Sequence, residues 1–400
     1  MVEGASTDYT YLDWAATSPL CEEALDAMRP YLVAGPASSL VDANANSLHT
    51  PGRAAFAALE RARKQIASAI GAARPAEVVL TGGATEADNA ALFGLAHAAV
   101  HERTQKGHAP AHPRIVTTPI EHDAVLKCMD RLERQGFSIV HAACDRRGFV
   151  SAESLARAMD DDTVLVSIQM ANAEIGCIQP ISELARAAHD RGALFHTDAV
   201  QAFGKVELNV RDLGVDAATF SGHKIGGPKG IGALYLKART PFAPYMLGGG
   251  QESGRRSGTQ NVCAAVGFAA ACEVAVRLQP EESARQRAMR DKLYRLLAEI
   301  PGVAPTLPIG PGDEAFLPNV VHVLVEGMES ETLVLRLDEM GFGVSGGSAC
   351  SSHSLEPSHV LTALGVDADR AYGALRISFG RYTSDGDMER FARALTRCVS

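Results

Sequence analysis

The sequence predicts an α/β fold: a large, mostly parallel sheet flanked by helices, followed by a smaller α+β domain. Three observations carry this. The chain is 400 residues long, more than one domain of about 150 residues. Between residues 77 and 236 short apolar runs alternate with amphipathic stretches, as in βαβ units whose sheet is covered on both faces. After about residue 262 the alternation stops and two long helical stretches begin.

The elements follow in order. Glu77–Thr81 reads as a strand and Ala84–Ala99 as a helix; Arg114–Thr118 is a strand and His122–Gln135 a helix. Ser138–His141 is a strand, Ala152–Met159 a helix, Thr163–Gln169 a strand and Ile181–Arg191 a helix. Ala193–Thr197, Ala217–Ser221 and Gly232–Leu236 complete the strands of the large unit. Helices over Val262–Arg277 and Glu281–Glu299 then lead through a Pro- and Gly-rich loop, Pro301–Gly312, to a strand at Val320–Val325. A helix near Glu331–Met340, a strand at Leu375–Phe379 and a helix from Asp385 finish the chain. This places a large domain at 22–262 and a small one at 1–21 and 263–400.

Composition narrows the function. Hydrophobic residues at 46% and charged ones at 21% suit a chain with a full-sized core. A net charge of −9 gives no basic surface for phosphates, so nucleic acid is not expected as a partner. Met1–Thr10 lacks the basic start and apolar core of a signal peptide, and Val262–Val276, interrupted by Glu273, is too short to cross a bilayer. No membrane is therefore expected. Eight cysteines without a C-x-x-C pair fit neither a disulfide framework nor a four-thiolate zinc site, and point to a reduced, cytoplasmic protein.

Four segments could carry chemistry. Thr81-Gly82-Gly83-Ala84-Thr85-Glu86 joins a strand to a helix, where free N–H groups bind phosphate, though an ordinary tight turn reads equally well. Asp198, in His196-Thr197-Asp198-Ala199-Val200-Gln201, stands at a strand's carboxyl end, where open α/β sheets place ligands; it could pair with a protonated ring nitrogen or simply cap a helix. Only eight of the 38 basic residues are Lys, which draws attention to the lysines between 205 and 237. Among them Lys224, in Ser221-Gly222-His223-Lys224, could form an imine with an aldehyde cofactor, with Lys229 as the nearby control. Cys350 lies in a small, polar stretch, Ser345–Ser354, where a reactive thiol would be accessible, whereas the other seven cysteines read as packing residues. His97, His101, His108 and His112 lack acids or thiols to close a metal shell, so no metal is expected.

Together these motifs resemble the NifS/IscS-type cysteine desulfurases, fold-type I enzymes of the class V aminotransferase superfamily that use pyridoxal 5'-phosphate (PLP). The resemblance runs from Tyr11-Leu12-Asp13-Trp14-Ala15-Ala16-Thr17 to Arg376-Ile377-Ser378-Phe379-Gly380-Arg381. Seven short signatures lie between in the family's order: Gly83–Glu86, Glu121-His122, Glu174-Ile175-Gly176, His196–Asp198, Ser221–Lys224, Arg256–Thr259 and Gly347–Cys350. The cysteine loop, about 345–357, is similar to that of the long-loop group.

The resemblance implies that Lys224 binds PLP covalently and later removes the Cα proton, and that Asp198 pairs with the pyridinium nitrogen. It implies that His122 stacks on the ring, that Gln201 hydrogen-bonds the ring oxygen, that Asn172 is among the cofactor-binding residues, and that Ala84, Thr85, Ser221 and His223 hold the phosphate. Thr259 would reach the phosphate from a neighbouring subunit of a homodimer, and Asn44 and Arg376 would bind the carboxylate of L-cysteine. Cys350 would take the sulfur as a persulfide and pass it to an acceptor protein for iron–sulfur cluster assembly or another thiolation. Ala173 replaces the usual second asparagine before Glu-Ile-Gly, and Ala45 replaces a proline after Asn44. The chain ends soon after its last helix, so an IscS-like docking tail is not expected and a NifS-like role is favoured. The alternatives are a selenocysteine lyase or other class V aminotransferase, and a catalytically silent sulfur carrier or scaffold.

Overall fold

The computed structural model describes residues 9–346 and 357–400. Cys350 and the 347–356 part of its loop lie outside the described residues. Strand β1 (Thr10–Tyr11) opens the chain, and seven strands form the large sheet: β2 (Val78–Thr81), β3 (Arg114–Thr117), β4 (Ser138–His141), β5 (Thr163–Ser167), β6 (Leu194–Asp198), β7 (Ala217–Ser221) and β8 (Gly232–Leu236). Their spatial order is β2-β8-β7-β6-β5-β3-β4. The strand runs from the sequence are all present, most within a residue or two of their expected ends.

The large sheet is buried on both faces, and the pleat sorts its side chains between two cores. Val79, Leu234, Leu236 and Ala217 face the helix Ala84–Gln105. Val78, Leu80, Ala233, Tyr235 and Phe220 face the other core, shared with the helix Thr50–Ala69. That helix and Glu22–Met28, which the sequence reading did not assign, cover this second face.

Three expectations are corrected. First, β8 is antiparallel to both β7 and β2. Only a short 3-10 turn, Gly222–Lys224, lies between β7 and β8; without a crossover helix a parallel return is not possible. Second, the two helices expected around residue 279 are one 37-residue helix, Val262–Ala298, with Pro280 inside it. Proline removes the N–H that would serve the Val276 carbonyl, but Val276 is exposed and water can take that role. Third, the loop Pro301–Gly312 contains a strand, β9 (Val303–Pro305).

The long helix is long and apolar enough to cross a bilayer, yet its apolar half lies inside the protein, with Val262, Ala265, Phe268, Ala269 and Cys272 buried. It serves both cores: residues up to Ala275 pack in the large unit, while Met289, Leu293 and Leu297 pack in the small one. There β9 pairs with β10 (Val320–Val325), and β12 (Ala374–Ser378) pairs with the other edge of β10, all antiparallel. β11 (Phe342–Gly343) pairs with β1 in parallel, which brings Thr10–Tyr11 beside the small sheet.

Candidate active site

The site begins where β6 and β7 end. Asp198 closes β6 and pairs with Thr219 of β7, and Ser221 closes β7. The chain then tightens into the turn Gly222–Lys224, which sets Lys224 just beyond the sheet edge. Lys224 Nζ donates to the carbonyl oxygens of Ala15 at 2.6 Å and Ala16 at 2.9 Å. Gln201 Nε2 donates to the Ala15 carbonyl at 2.9 Å, while its Oε1 is buried with no partner among the described residues. The segment Asp13–Ser18 therefore lies across the lysine turn, with the Ser18 N–H donating to the His223 carbonyl at 2.8 Å.

Burial pushes the Asp198 carboxyl up from its ordinary value, while the neighbouring His122, the Val200 N–H and Lys224 pull it back. His122 caps the helix Asp123–Glu133, its Nδ1 accepting from the Ala124 N–H at 3.1 Å, so Nε2 is the nitrogen that carries a proton. Below this edge lie three buried ionisable groups. Glu121 accepts from Thr118 Oγ1 at 2.6 Å and from the Gln169 N–H, but burial still pushes its carboxyl up to about 8. Asp88 is fully buried with Oδ1 3.7 Å from His196 Nε2, and burial and the Asp198 charge push its carboxyl well above the usual carboxylate range. His196, with Thr219 Oγ1 and Ser167 Oγ each 3.0 Å from a ring nitrogen, is driven down to about 3 by burial and is neutral.

An anion cup lies beside the carboxylate. Gly83 caps the helix Ala84–Gln105 at φ 148°, a conformation suited to glycine, and the first N–H groups at Ala84 and Thr85 face outward from the helix start. Glu86 accepts from the Gly82 N–H at 2.8 Å and pairs with Arg256 at 2.6 Å, bracing the turn. Ser221 Oγ is buried without a hydrogen-bond partner among the described residues, a donor suited to a phosphate oxygen. His223 Nδ1 lies 3.1 Å from Thr17 Oγ1, and burial with three neighbouring lysines drives its ring down to about 4. A cavity of about 800 Å³ opens alongside, with Thr85, Asn89, His122 and Tyr245 in its walls.

Arg376 comes from β12 and is 2% exposed. Its Nη2 donates to Asp13 Oδ1 at 2.8 Å and its Nη1 to the Ala173 carbonyl at 3.2 Å, while Nε is buried without a partner among the described residues. Asn172 is buried in a turn: its oxygen accepts from the Glu174 and Ile175 N–H groups and its Nδ2 donates to the Ile120 carbonyl. Asn44 is exposed, its oxygen turned to the Asn46 N–H at 2.9 Å. Thr259 and Lys229 are exposed. The seven described cysteines are buried or half-buried, in keeping with packing roles.

The structure thus joins Lys224, Asp198, Gln201, Ser221 and His223 at one edge, with Arg376 linked to them through Asp13–Ala16. An amine, a buried carboxylate, an anion cup and a guanidinium together suit an anionic, ring-bearing cofactor and a carboxylate substrate. Sequence reasoning missed Asp13 and Asp88, and it named Lys205 only as one of a cluster of lysines. Asp88 had a signal: it interrupts the apolar face formed by Ala91, Leu92 and Leu95 at helical spacing. Asp13 had none, since its partner is 363 residues away.

The family model "Aminotransferase class-V" matches residues 10–391. A cysteine desulfurase IscS of Dictyoglomus turgidum is 41% identical over 97% of this chain and 94% of its own length. A cysteine desulfurase NifS of Azotobacter vinelandii is 36% identical over 98% of this chain and 92% of its own. Among solved structures, a NifS-like protein aligns with a TM-score of 0.86 at 35% identity, covering 97% of this chain and 98% of that one. SspA in complex with cysteine aligns with a TM-score of 0.77 at 32% identity, covering 94% and 99%.

Proposed function

The chain belongs to the NifS/IscS cysteine desulfurases of the class V aminotransferase family, and from that premise we propose that it converts L-cysteine to L-alanine and takes the sulfur as a persulfide on Cys350. The observation that carries the reading is the convergence of Lys224, Asp198, Gln201 and Ser221 at one sheet edge, joined through Asp13–Ala16 to Arg376.

These residues fit PLP. Two buried polar atoms without partners among the described residues, Ser221 Oγ and Gln201 Oε1, await hydrogen-bond partners, and the helix start at Ala84 offers N–H groups to a phosphate. When bound, PLP supplies an electron sink for the substrate's Cα and Cβ. Lys224 would hold it covalently, and its Nζ is the base that would take the substrate's Cα proton and return it as alanine forms. Asp198, buried at the end of β6, would hold a proton at the ring nitrogen. Arg376 orients the substrate through its carboxylate, and His122 moves a proton at Nε2. The Cys350 thiolate attacks the substrate sulfur; the Cβ–S bond breaks with its electron pair left on carbon, and a proton completes alanine's methyl group.

The persulfide's acceptor is a protein of iron–sulfur assembly or another thiolation route. A homodimer belongs to the same reading, with exposed Thr259 serving the neighbouring subunit's phosphate. The test is a visible spectrum of the purified protein, followed by alanine and sulfide assays with L-cysteine and a reductant. A yellow protein releasing both products in equal amounts is expected; a colourless chain that cannot take up PLP sinks the reading.

A further inference from the structure

Lys205 stands behind Lys224 and has no place in the chemistry above. The residue is 9% exposed, and its Nζ is buried with no hydrogen-bond partner among the described residues. Burying an ammonium without a counter-charge is costly, so such a residue either loses its proton or has one contested. Its backbone is fixed: the Lys205 carbonyl accepts from Ser283 Oγ of the long helix, and the preceding Gly204 leaves no room for a side chain against Ala275.

Lys205 and Lys224 line one cavity of about 70 Å³ between the long helix, the N-terminal segment and the end of β12. The ionisable groups around the pair come from each of these elements. Glu282, on the long helix, is the carboxylate in the cavity wall, but it is engaged by Arg285 at 2.8 Å and Gln286 at 3.0 Å. Arg381, Tyr382 and Cys21 complete the ionisable part of the wall, His223 adjoins Lys224 in the turn, and Asp198 acts on Lys224 from β6. Asn319 also lines the cavity, and its Oδ1 is a buried acceptor without a partner among the described residues.

The two carbonyls that accept from Lys224 favour its charged form, whereas its proposed role needs a neutral nitrogen. We propose that Lys205 is a positioning residue for Lys224: the two amines contest a single proton across their shared cavity, so that a proton on Lys205 opposes one on the Lys224 nitrogen. Lys224 thereby presents an unprotonated nitrogen at a lower pH than its carbonyl acceptors alone would allow. Burial, with the Lys224 charge adding to it, pushes Lys205 down to about 7, a value suited to such an exchange near neutral pH.

The inference rests on the PLP reading, and one titration separates the two. The PLP-loaded wild type, Lys205→Met and Lys205→Arg are titrated by the absorbance of the PLP–lysine linkage. Removing the competitor in Lys205→Met is expected to raise the midpoint by about one pH unit. Arginine keeps the charge, so the Lys205→Arg midpoint is expected at or below the wild-type value. If Lys205→Met does not fold, Lys205→Gln removes the same charge and carries the test. A wild type that titrates, with Lys205→Met or Lys205→Gln titrating at the same pH, overturns this inference alone. A wild type that never takes up PLP overturns the functional reading and this inference with it.

Discussion

Asp13 and Arg376, at opposite ends of the chain, form an ion pair of 2.8 Å in which the guanidinium is 2% and the carboxylate side chain 18% exposed. Asp13 thereby holds the side chain proposed to grip the substrate carboxylate.

Breaking that pair is expected to be felt in stability. Asp13→Ala leaves a buried guanidinium without its counter-charge and should cost about 3 kcal/mol, read from urea unfolding. Arg376→Lys loses the planar fork, and its KM for L-cysteine should rise roughly 10-fold or more, with a smaller change in kcat. An unchanged KM would remove Arg376 from the binding of the carboxylate.

The two proposed reactive groups separate cleanly by experiment. Lys224→Ala should take up PLP without any borohydride-reducible adduct, as read by mass spectrometry of the reduced protein. Cys350→Ser should still respond spectrally to L-cysteine yet release no sulfide. Normal sulfide release by that variant would contradict the persulfide on Cys350.

Glu121 predicts a direction for stability against pH. Its folded carboxyl is raised from an ordinary 4.5 to about 8, chiefly by burial, so the native state binds the proton more tightly than the unfolded chain. This contribution is complete below about 4.5 and is lost as pH rises towards about 8. Glu121→Gln mimics the protonated acid and should flatten the fall in urea midpoint between about pH 5 and 8. An identical slope in both proteins would show that Glu121 does not carry it.

Gly232 tests the anion cup from behind. A Cβ there would meet the Phe220 carbonyl oxygen at 2.6 Å and the Gly83 carbonyl carbon at 2.8 Å. Gly232→Ala must therefore push the Gly83 turn outward, at roughly 1–3 kcal/mol. PLP affinity, measured by fluorescence quenching, should fall by about tenfold or more. Unaltered affinity would mean that the turn does not bind the phosphate.

Local pattern was enough for the fold class and for the strand ends that carry Asp198 and Ser221, because pleat alternation and glycine turns are written within a few residues. It also drew attention to Lys224, with Lys229 as its nearby control, and Lys229 lies exposed on the surface. The antiparallel β8 was decided by how β7 and β2 pair with it, and the continuity of the helix through Pro280 by packing against two cores. Asp13 beside Arg376, Lys205 behind Lys224 and Asp88 beneath Asp198 are likewise products of tertiary structure. Each joins residues from separate elements, and the cost or benefit of such a pairing exists only once burial has removed water from around them. The sequence determined which chemical groups were present and at which strand ends; only the folded packing decided which charges face each other, and therefore which are held, contested or neutral.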